Sequence, residues 1–349
     1  MLYTRPAVEF CLGVSPAGWC RSFFLLASAA VLAVAALPRE ARQLLVDYGA
    51  RQQHTTSSSP PSDDSNNNKH TKTGGRDDDG IMKVKAILAT VTSWGQVPHS
   101  WFIAFYLVSL FCSVFWAGQY LYDGQILRML ASSNKATREG GGESMTFSQV
   151  VLVWSLMVLQ ATRRIYEHIW VMKPSKAKMW VVHWLLGLGF YLAVSVSVWV
   201  QGSEAILQKL DGQRQQVDAG VPMLRTDAGV PMLRTALAVP LFFWAWTNQH
   251  KCHRQLAGLK KYSIPKGGMF DSIVCPHYTC ECLIYLSLAI LAAPPGRNNG
   301  SFLNQTLLCA VIFVVVNLGV TAYETRRWYE EKFGPAAIQG KWNMIPFLF

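Results

Sequence analysis

Apolar residues in this chain occur in long blocks, rather than in the alternating pattern of a half-buried strand. Crossing the hydrocarbon core of a bilayer takes about 20 mostly apolar residues in a helix. The segments that approach this length cover residues 23–37, 100–121, 147–159, 180–200, 236–246, 273–293 and 302–322. The pattern therefore predicts an all-α protein, a polytopic membrane bundle of about seven transmembrane helices.

Composition and charge support a membrane location and predict an orientation. Only 15% of the 349 residues are charged, against about 25% in soluble proteins. The net charge of +11 could indicate a nucleic-acid partner, but no basic segment carries a motif that reads nucleic acid. Residues 39–97, 163–179, 249–272 and those after 323 hold 22 of the 32 Lys and Arg. The positive-inside rule places these segments in the cytosol, and with them the C-terminus.

Polar segments interrupt the predicted helices. Residues 52–80 are rich in Ser, Asn and Asp and are too polar to bury a core, so they are predicted to form a disordered, low-complexity cytoplasmic loop. Residues 131–144 end in a glycine-rich run and are predicted to be a flexible lumenal connector. The nonapeptide DAGVPMLRT occurs in tandem at 218–226 and 227–235. Residues 1–51 form an N-terminal region with the first transmembrane helix.

The cysteines raise the question of a metal site. Cys252, Cys275, Cys280 and Cys282 lie near several histidines in the sequence. Cys280 and Cys282, however, are two residues apart and point to different faces of a helix, unlike the ligand spacings of structural zinc sites. No metal site is predicted.

Polar and aromatic residues gather at the cytoplasmic ends of the predicted helices. The chain has no glycine-rich phosphate loop, so a bound nucleotide must be held by side chains at helix ends. Arg163 and Arg164 follow the third helix. They are explained equally well as nucleotide-binding residues and as positive charges that set the membrane orientation. Glu281 lies one turn inside the sixth helix, where an acidic group is costly unless it is paired or functional.

Four separated motifs carry a family resemblance. The C-terminal pattern RRWYEEKF, closing on KWNMIPFLF, resembles the signature of the steroid 5-alpha-reductase family. The segments VPHSWFIAFY, NQHKCHRQLAGLKKY and CPHYTCE look more specifically like its polyprenol (polyprenal) reductase branch. The match places a membrane reductase bundle at residues 81–349, with the family signature in residues 236–349.

The resemblance implies a seven-helix, NADPH-dependent reductase of the endoplasmic reticulum membrane, which takes a polyprenyl lipid from the bilayer and needs no obligate protein partner. Its family pattern implies cofactor contacts at Arg164, Asn248, His250, His253, Lys260 and Tyr329. The Glu and Tyr that polarise a 3-oxo steroid in the steroid branch fall at Leu107 and Ala161. Both steroid-type groups are therefore missing.

Chemistry narrows the substrate that the resemblance implies. Hydride adds readily to an alkene when the developing carbanion is delocalised into a carbonyl, so polyprenal is favoured over polyprenol as the reacting form. Tyr106 and His277 are the candidate hydrogen-bond donors to the substrate oxygen. Glu281 is expected to orient His277 or the nicotinamide amide, while Tyr106 could equally be an interfacial aromatic residue.

The predicted function is therefore reduction of the alpha-isoprene double bond of polyprenal in dolichol biosynthesis, which supports protein N-glycosylation. Two other functions stay open. One is a membrane enoyl-thioester or sterol/steroid double-bond reductase. The other is a non-catalytic lipid-binding or transport protein.

Overall fold

The computed structural model describes residues 13–37, 95–137, 144–174, 177–219, 232–260, 263–295 and 302–349. Within these residues the chain is almost entirely helical, as the all-α prediction requires. The helices are α1 (Pro16–Ala35), α2 (Ile103–Leu121), α3 (Gln125–Ala136), α4 (Phe147–Tyr166), α5 (Val181–Ser197), α6 (Ser203–Ala219), α7 (Met232–Gly258), α8 (Pro276–Leu291) and α9 (Gln305–Phe333). Two short strands, β1 (Gln96–Pro98) and β2 (Lys178–Trp180), pair antiparallel.

Each of the seven predicted transmembrane segments coincides with a helix, but the number of transmembrane helices is not confirmed. By length and apolar composition, the segments long enough to cross a membrane in the described part of the chain are Pro16–Ala35, His99–Leu121, Val181–Arg214 and Gln305–Phe333. Helix α8 has only 16 residues, and the last turn of α4 carries two arginines. The chain is thus a multi-pass membrane protein.

Local sequence signals explain where several helices begin. Ser15 caps α1, because its hydroxyl accepts from the Gly18 amide and Pro16 fills the first helical position. Thr146 and Gln149 form a capping box at the start of α4. Asn304 caps α9 and is fully buried, and its side-chain amide donates to the Ala292 carbonyl at 2.9 Å. Residues 304–306 (NQT) match the N-glycosylation pattern, but this burial leaves no room for a glycan on Asn304.

Helix α3 contradicts part of the flexible connector predicted for residues 131–144. Residues 125–136 form an amphipathic helix whose buried side chains, Leu127, Ala131 and Asn134, recur at helical spacing. The Asn134 side chain accepts from the Ala17 amide and donates to the Val200 carbonyl, which ties α3 to two neighbouring segments. The prediction of a connector rested on the glycine-rich end of this segment and did not take account of the apolar stripe before it.

Helix α7 is much longer than the predicted fifth segment of residues 236–246. It runs unbroken from Met232 to Gly258 with Pro240 inside it, and residues 247–258 continue its last turns instead of forming a loop. Since most of the polar motif of this region lies on a helix, it places Gln249 and His253 one turn apart, where Gln249 contacts α8 and His253 contacts Glu167. Helix α7 packs along α8, and α9 packs against both α8 and α1.

The segment after α9 fixes the first turn of α8. Trp342 accepts a hydrogen bond from the Val274 amide, and Asn343 accepts one from the Cys275 amide, both through their backbone carbonyls. The Thr279 hydroxyl donates to the Met344 carbonyl. The start of α8 is therefore held by residues that follow it by more than 60 positions.

Some predictions lie outside the described residues. These are the disordered loop at 52–80, the end of the N-terminal region at 38–51 and most of the DAGVPMLRT repeat.

Gly187 and Gly118 provide a matched test of helix packing. A Cβ added at Gly187 would lie 2.6 Å from the ring of Phe105, whereas one at Gly118 would meet nothing within 4 Å. We expect Gly187→Ala to lower the thermal stability of the detergent-solubilised protein. Gly118→Ala should leave the free energy of unfolding unchanged or raise it by up to about 1 kcal/mol, the usual gain from replacing a helical glycine. Equal stability of the two variants would contradict the close packing of Phe105.

Candidate active site

A cavity of about 540 Å³ lies among helices α2, α4, α5, α7, α8 and α9. The predicted site residues that line it are Tyr106, Arg164, His253, His277 and Glu281. These side chains come from four helices and are separated by up to 175 positions in the sequence. The fold thus brings five of the nine predicted site residues to one enclosed space.

Arg164 and Tyr106 form the central contact of this cavity. Arg164 Nη2 donates to the Tyr106 hydroxyl at 2.5 Å, and the guanidinium carbon lies 4.8 Å from the centre of the tyrosine ring. Tyr106 is only 6% exposed, so this contact is shielded from water. Because the hydroxyl accepts from Arg164, its own proton is free to be donated to a ligand.

Glu167 is a fully buried carboxylate that organises the basic residues around it. It lies at the start of a π-helical turn, Glu167–Val171, that extends α4. One carboxylate oxygen is 2.8 Å from His250 Nδ1, and the other is 2.8 Å from His253 Nδ1. Arg164 Nη1 lies 2.5 Å from the same oxygen as His253, and Arg163 Nη1 lies 3.5 Å from the other. The fully buried Glu167 carboxylate is thus surrounded by four basic side chains.

The charge states of this cluster follow from its surroundings. Burial alone would raise the pKa of the Glu167 carboxyl, but the hydrogen bond from His253 and the nearby arginines hold that pKa well below its usual range. Burial and the positive charges of Arg164 and Arg163 lower the pKa of His253, the contact with Glu167 opposes them only in part, and the result is a pKa of about 4. Near neutral pH, Glu167 is ionised and His253 is neutral, with its Nδ1 lying 2.8 Å from both a Glu167 oxygen and Arg164 Nη1.

A second layer of hydrogen bonds holds Glu281. The Gln249 side chain donates to Glu281 Oε2, and the Gln160 side chain lies 3.4 Å from the same oxygen. Arg163 in turn donates to the side-chain oxygens of both glutamines, at 2.8 Å for Gln160. Glu281 is therefore fixed by amide groups from α4 and α7, and through them by an arginine.

The predicted pairing of His277 with Glu281 differs from this arrangement. The hydrogen bonds of Glu281 in the described residues go to Gln249 and Gln160, and His277 Nδ1 is buried without a partner among those residues. The His277 ring lies 4.1 Å from Tyr278 and 5.8 Å from His253, measured between ring centres. His277 is positioned by ring contacts, and its Nδ1 is left for a ligand.

The four other predicted site residues lie outside the cavity. Asn248 donates to the Trp244 carbonyl within its own helix. His250 lines a separate surface depression and reaches the site through Glu167. Lys260 is exposed just after α7, and Tyr329 is 9% exposed in the core beside Trp328 and Phe333. Their part in cofactor binding remains a prediction.

Five residues that line the cavity or hold its side chains in place were not predicted from the sequence. They are Gln160, Glu167, Tyr191, Gln249 and Tyr285. The spacing of Glu167 at three and four residues after the two arginines was a usable signal, because such pairs face each other on a helix. The glutamines and tyrosines lie in apolar helical sequence and carry no such signal.

The positions that correspond to the steroid-type Glu and Tyr face elsewhere. Leu107 is 48% exposed on the outer surface of α2, and Ala161 is 2% exposed in the core. Neither lines the cavity, and neither could polarise a carbonyl. Among the described residues, no group of three or more His, Cys, Asp and Glu side chains is placed to hold a metal ion.

The low pKa of His253 predicts acid sensitivity. The folded protein keeps His253 neutral down to about pH 4, whereas the unfolded chain binds a proton near its ordinary pKa of 6.5. Between these values each unit fall in pH therefore lowers the free energy of unfolding by about 1.4 kcal/mol. His253→Gln, which can still donate to Glu167, should flatten this dependence. Thermal denaturation in detergent across this pH range tests the expectation, and identical slopes for the two proteins would contradict it.

Comparisons with known proteins identify similar sequences. Residues 226–349 match the family model described as 3-oxo-5-alpha-steroid 4-dehydrogenase. The polyprenal reductase of Xenopus tropicalis is 28% identical over 278 residues, covering 73% of this chain and 81% of the relative. Polyprenal reductase 1 of Oryza sativa subsp. indica is 27% identical, with 72% and 79% covered, and the polyprenal reductase of Homo sapiens is 27% identical, with 73% and 78% covered. The resemblance that the motifs indicate is therefore confirmed: residues 226–349 match the 3-oxo-5-alpha-steroid 4-dehydrogenase family model, and about 73% of the chain is similar to polyprenal reductases.

Proposed function

We propose that this protein is an NADPH-dependent reductase of the alpha-isoprene double bond of polyprenal. The observation that carries the proposal is the Arg164–Tyr106 contact at a largely apolar cavity inside a membrane bundle. The names of its relatives point to the same substrate. In a conjugated aldehyde, negative charge develops on the carbonyl oxygen when hydride is added. A hydroxyl donor can stabilise that charge by a hydrogen bond.

The Tyr106 hydroxyl would donate a hydrogen bond to the carbonyl oxygen of the substrate. Arg164 stabilises the negative charge that develops there, since it is bonded to the same tyrosine oxygen and is itself positively charged. Glu167 fixes the arginine from the other side at 2.5 Å. The donor is therefore oriented before the substrate arrives, which is the condition for strong electrostatic stabilisation.

The remaining wall of the cavity suits an isoprenoid chain. It is formed largely by Phe102, Phe105, Leu186, Phe190 and Phe313. Apolar surface that these groups remove from water stabilises binding by about 25 cal/mol per Å². Such a wall provides little polar contact for a ring substituent, and it favours a hydrocarbon chain over a substrate with polar groups at both ends.

The polar end of the cavity fits a pyridine nucleotide. Lys173 is available for phosphate or amide groups, and His168 Nδ1 and His277 Nδ1 are buried without a partner among the described residues. His253 and Glu281 complete this end. NADPH, when bound there, supplies the hydride that the beta carbon of the substrate receives.

The cellular context follows from the substrate and the charge distribution. Reduced polyprenyl lipids serve as dolichol in the endoplasmic reticulum membrane, where protein N-glycosylation uses them. The excess of Lys and Arg in residues 163–179, 249–272 and after 323 supports a cytosolic C-terminus and a cytosolic entry for the cofactor.

The direct test is NADPH oxidation by the purified, detergent-solubilised chain. We expect turnover with polyprenal, and much slower turnover with a long enoyl thioester or a 3-oxo steroid. Preference for the thioester or the steroid would replace polyprenal by that substrate class. Absence of NADPH oxidation with all three would favour a lipid-binding or transport protein.

Tyr106→Phe tests the role of the hydroxyl donor. Removal of a donor to a developing oxyanion costs about 100-fold in kcat, so we expect a loss of that size with little change in the affinity for NADPH. Tyr122→Phe is the control, because Tyr122 lies at the end of the same helix and is 87% exposed. A kcat for Tyr106→Phe equal to that of the control would show that Tyr106 is only an interfacial aromatic residue.

A further inference from the structure

Tyr285 is a buried hydroxyl that the roles described so far leave unused. It lines the cavity, is 1% exposed, and its Oη has no hydrogen-bond partner among the described residues. A polar neighbour is the Tyr191 hydroxyl, which is close enough to Tyr285 for a hydrogen-bond interaction but does not meet strict donor–acceptor geometry. A buried hydroxyl without a partner is costly in a native structure, unless a ligand completes it.

Tyr285 continues the stripe of helix α8 that carries His277 and Glu281. The three residues follow at intervals of four and therefore share one face of the helix, which the cavity contacts along about 12 Å. Tyr285 lies at the end of this stripe away from the start of α8. This end is walled by aromatic residues, with the ring of Phe190 at 5.5 Å from that of Tyr285.

A chain of rings connects Tyr285 to the donor already assigned. The ring of Tyr106 lies 6.0 Å from that of Tyr191, and Tyr191 lies 5.3 Å from Phe190, which contacts Tyr285. Tyr106 and Tyr285 come from α2 and α8. Their hydroxyls therefore enter the cavity from two different helices, and only that of Tyr106 is bonded to an arginine.

The proposed reaction needs two donors in different positions. The donor to the carbonyl oxygen lies near the plane of the carbonyl group, where the oxygen lone pairs are. The proton for the alpha carbon must arrive along the face of the enolate, perpendicular to that plane, because the reacting electron pair is in the π system. A single hydroxyl held by Arg164 cannot occupy both positions.

We propose that Tyr285 is a further catalytic residue, which donates its hydroxyl proton to the alpha carbon of the substrate. This inference rests on the proposed function. After the beta carbon has received the hydride, the O–H bond of Tyr285 breaks, a C–H bond forms at the alpha carbon, and the enolate returns to an aldehyde. The tyrosine oxygen regains a proton from water when the product leaves, so each turnover consumes one hydride and one proton.

The other polar groups of the α8 stripe are less suited to this step. Oε2 of Glu281 is already engaged as an acceptor by Gln249 and Gln160, which hold this carboxyl group in place. A neutral imidazole such as that of His277 is a much weaker acid than a phenol, and its charged form is disfavoured by burial. Tyr285 is the member of the stripe that carries a transferable proton in its ordinary neutral state.

The test uses Tyr285→Phe, which keeps the ring and removes only the hydroxyl. Reduction of a short polyprenal, farnesal, is carried out in D₂O with NADPH, and the product aldehyde is trapped with borohydride to stop exchange. Wild-type protein should place one deuterium on a single face of the alpha carbon. Tyr285→Phe should lower kcat at least tenfold, leave the KM for NADPH within about twofold, and place deuterium on both faces.

The control is Tyr120→Phe, which likewise removes only a hydroxyl, but on helix α2 and at a ring that packs 5.1 Å from Phe147, away from the cavity lining. It should retain both the rate and the single-face labelling. Single-face labelling by Tyr285→Phe, or a raised KM for NADPH with unchanged kcat, would overturn the proposal. A wild-type protein that reduces no polyprenal would instead overturn the proposed function, and the role of Tyr285 would fall with it.

Discussion

The active-site region of this protein depends on one buried negative charge. The Glu167 carboxylate is fully enclosed, and an ion removed from water costs several kcal/mol unless partners replace the lost hydration. Arg163, Arg164, His250 and His253 provide those partners. Meeting this one requirement fixes the relative positions of α4 and α7.

The fixed arginine then sets the chemistry of the cavity. Arg164 contacts Glu167 on one side and Tyr106 on the other, so the charge that the carboxylate requires also orients the hydroxyl donor. Arg163 acts likewise through Gln249 to place Glu281 on α8. Through these two adjacent arginines, the Glu167 carboxylate thus helps to position side chains on two other helices, α2 and α8. Truncating Glu167 would disturb both arms together, so single substitutions here are not expected to be additive.

The sequence predicted the elements of this structure better than their extents. Blocks of apolar residues located each of the seven predicted helical segments, because helices that meet lipid must be apolar over many turns. The extension of α7 to Gly258 was missed because its polar residues face a protein cavity, which hydropathy cannot distinguish from a loop. Amphipathic α3 was missed for a related reason, since its apolar stripe is only one face of a short helix.

The candidate site was predictable where charge was involved. Glu281 stood out because ionisable groups are rare in apolar segments, whereas Arg164 and His253 were predicted from the family pattern, and all three line the cavity. Tyr285 and Gln249 could not be recognised in this way, since a tyrosine or glutamine within a helix gives no sign of which face it occupies. Their importance depends on how α7 and α8 are rotated toward each other, and this is a property of the packed bundle.

The contact between residues 342–344 and the first turn of α8 has a consequence for biosynthesis. Val274 and Cys275 donate their amides to carbonyls of Trp342 and Asn343, which are translated after every helix described here. Helix α8 can enter the membrane early, but its start cannot reach its final position until this later segment emerges and binds. The cavity that His277 and Glu281 complete is therefore assembled after membrane insertion, and a chain that ends directly after α9 would form an inserted bundle without a finished site.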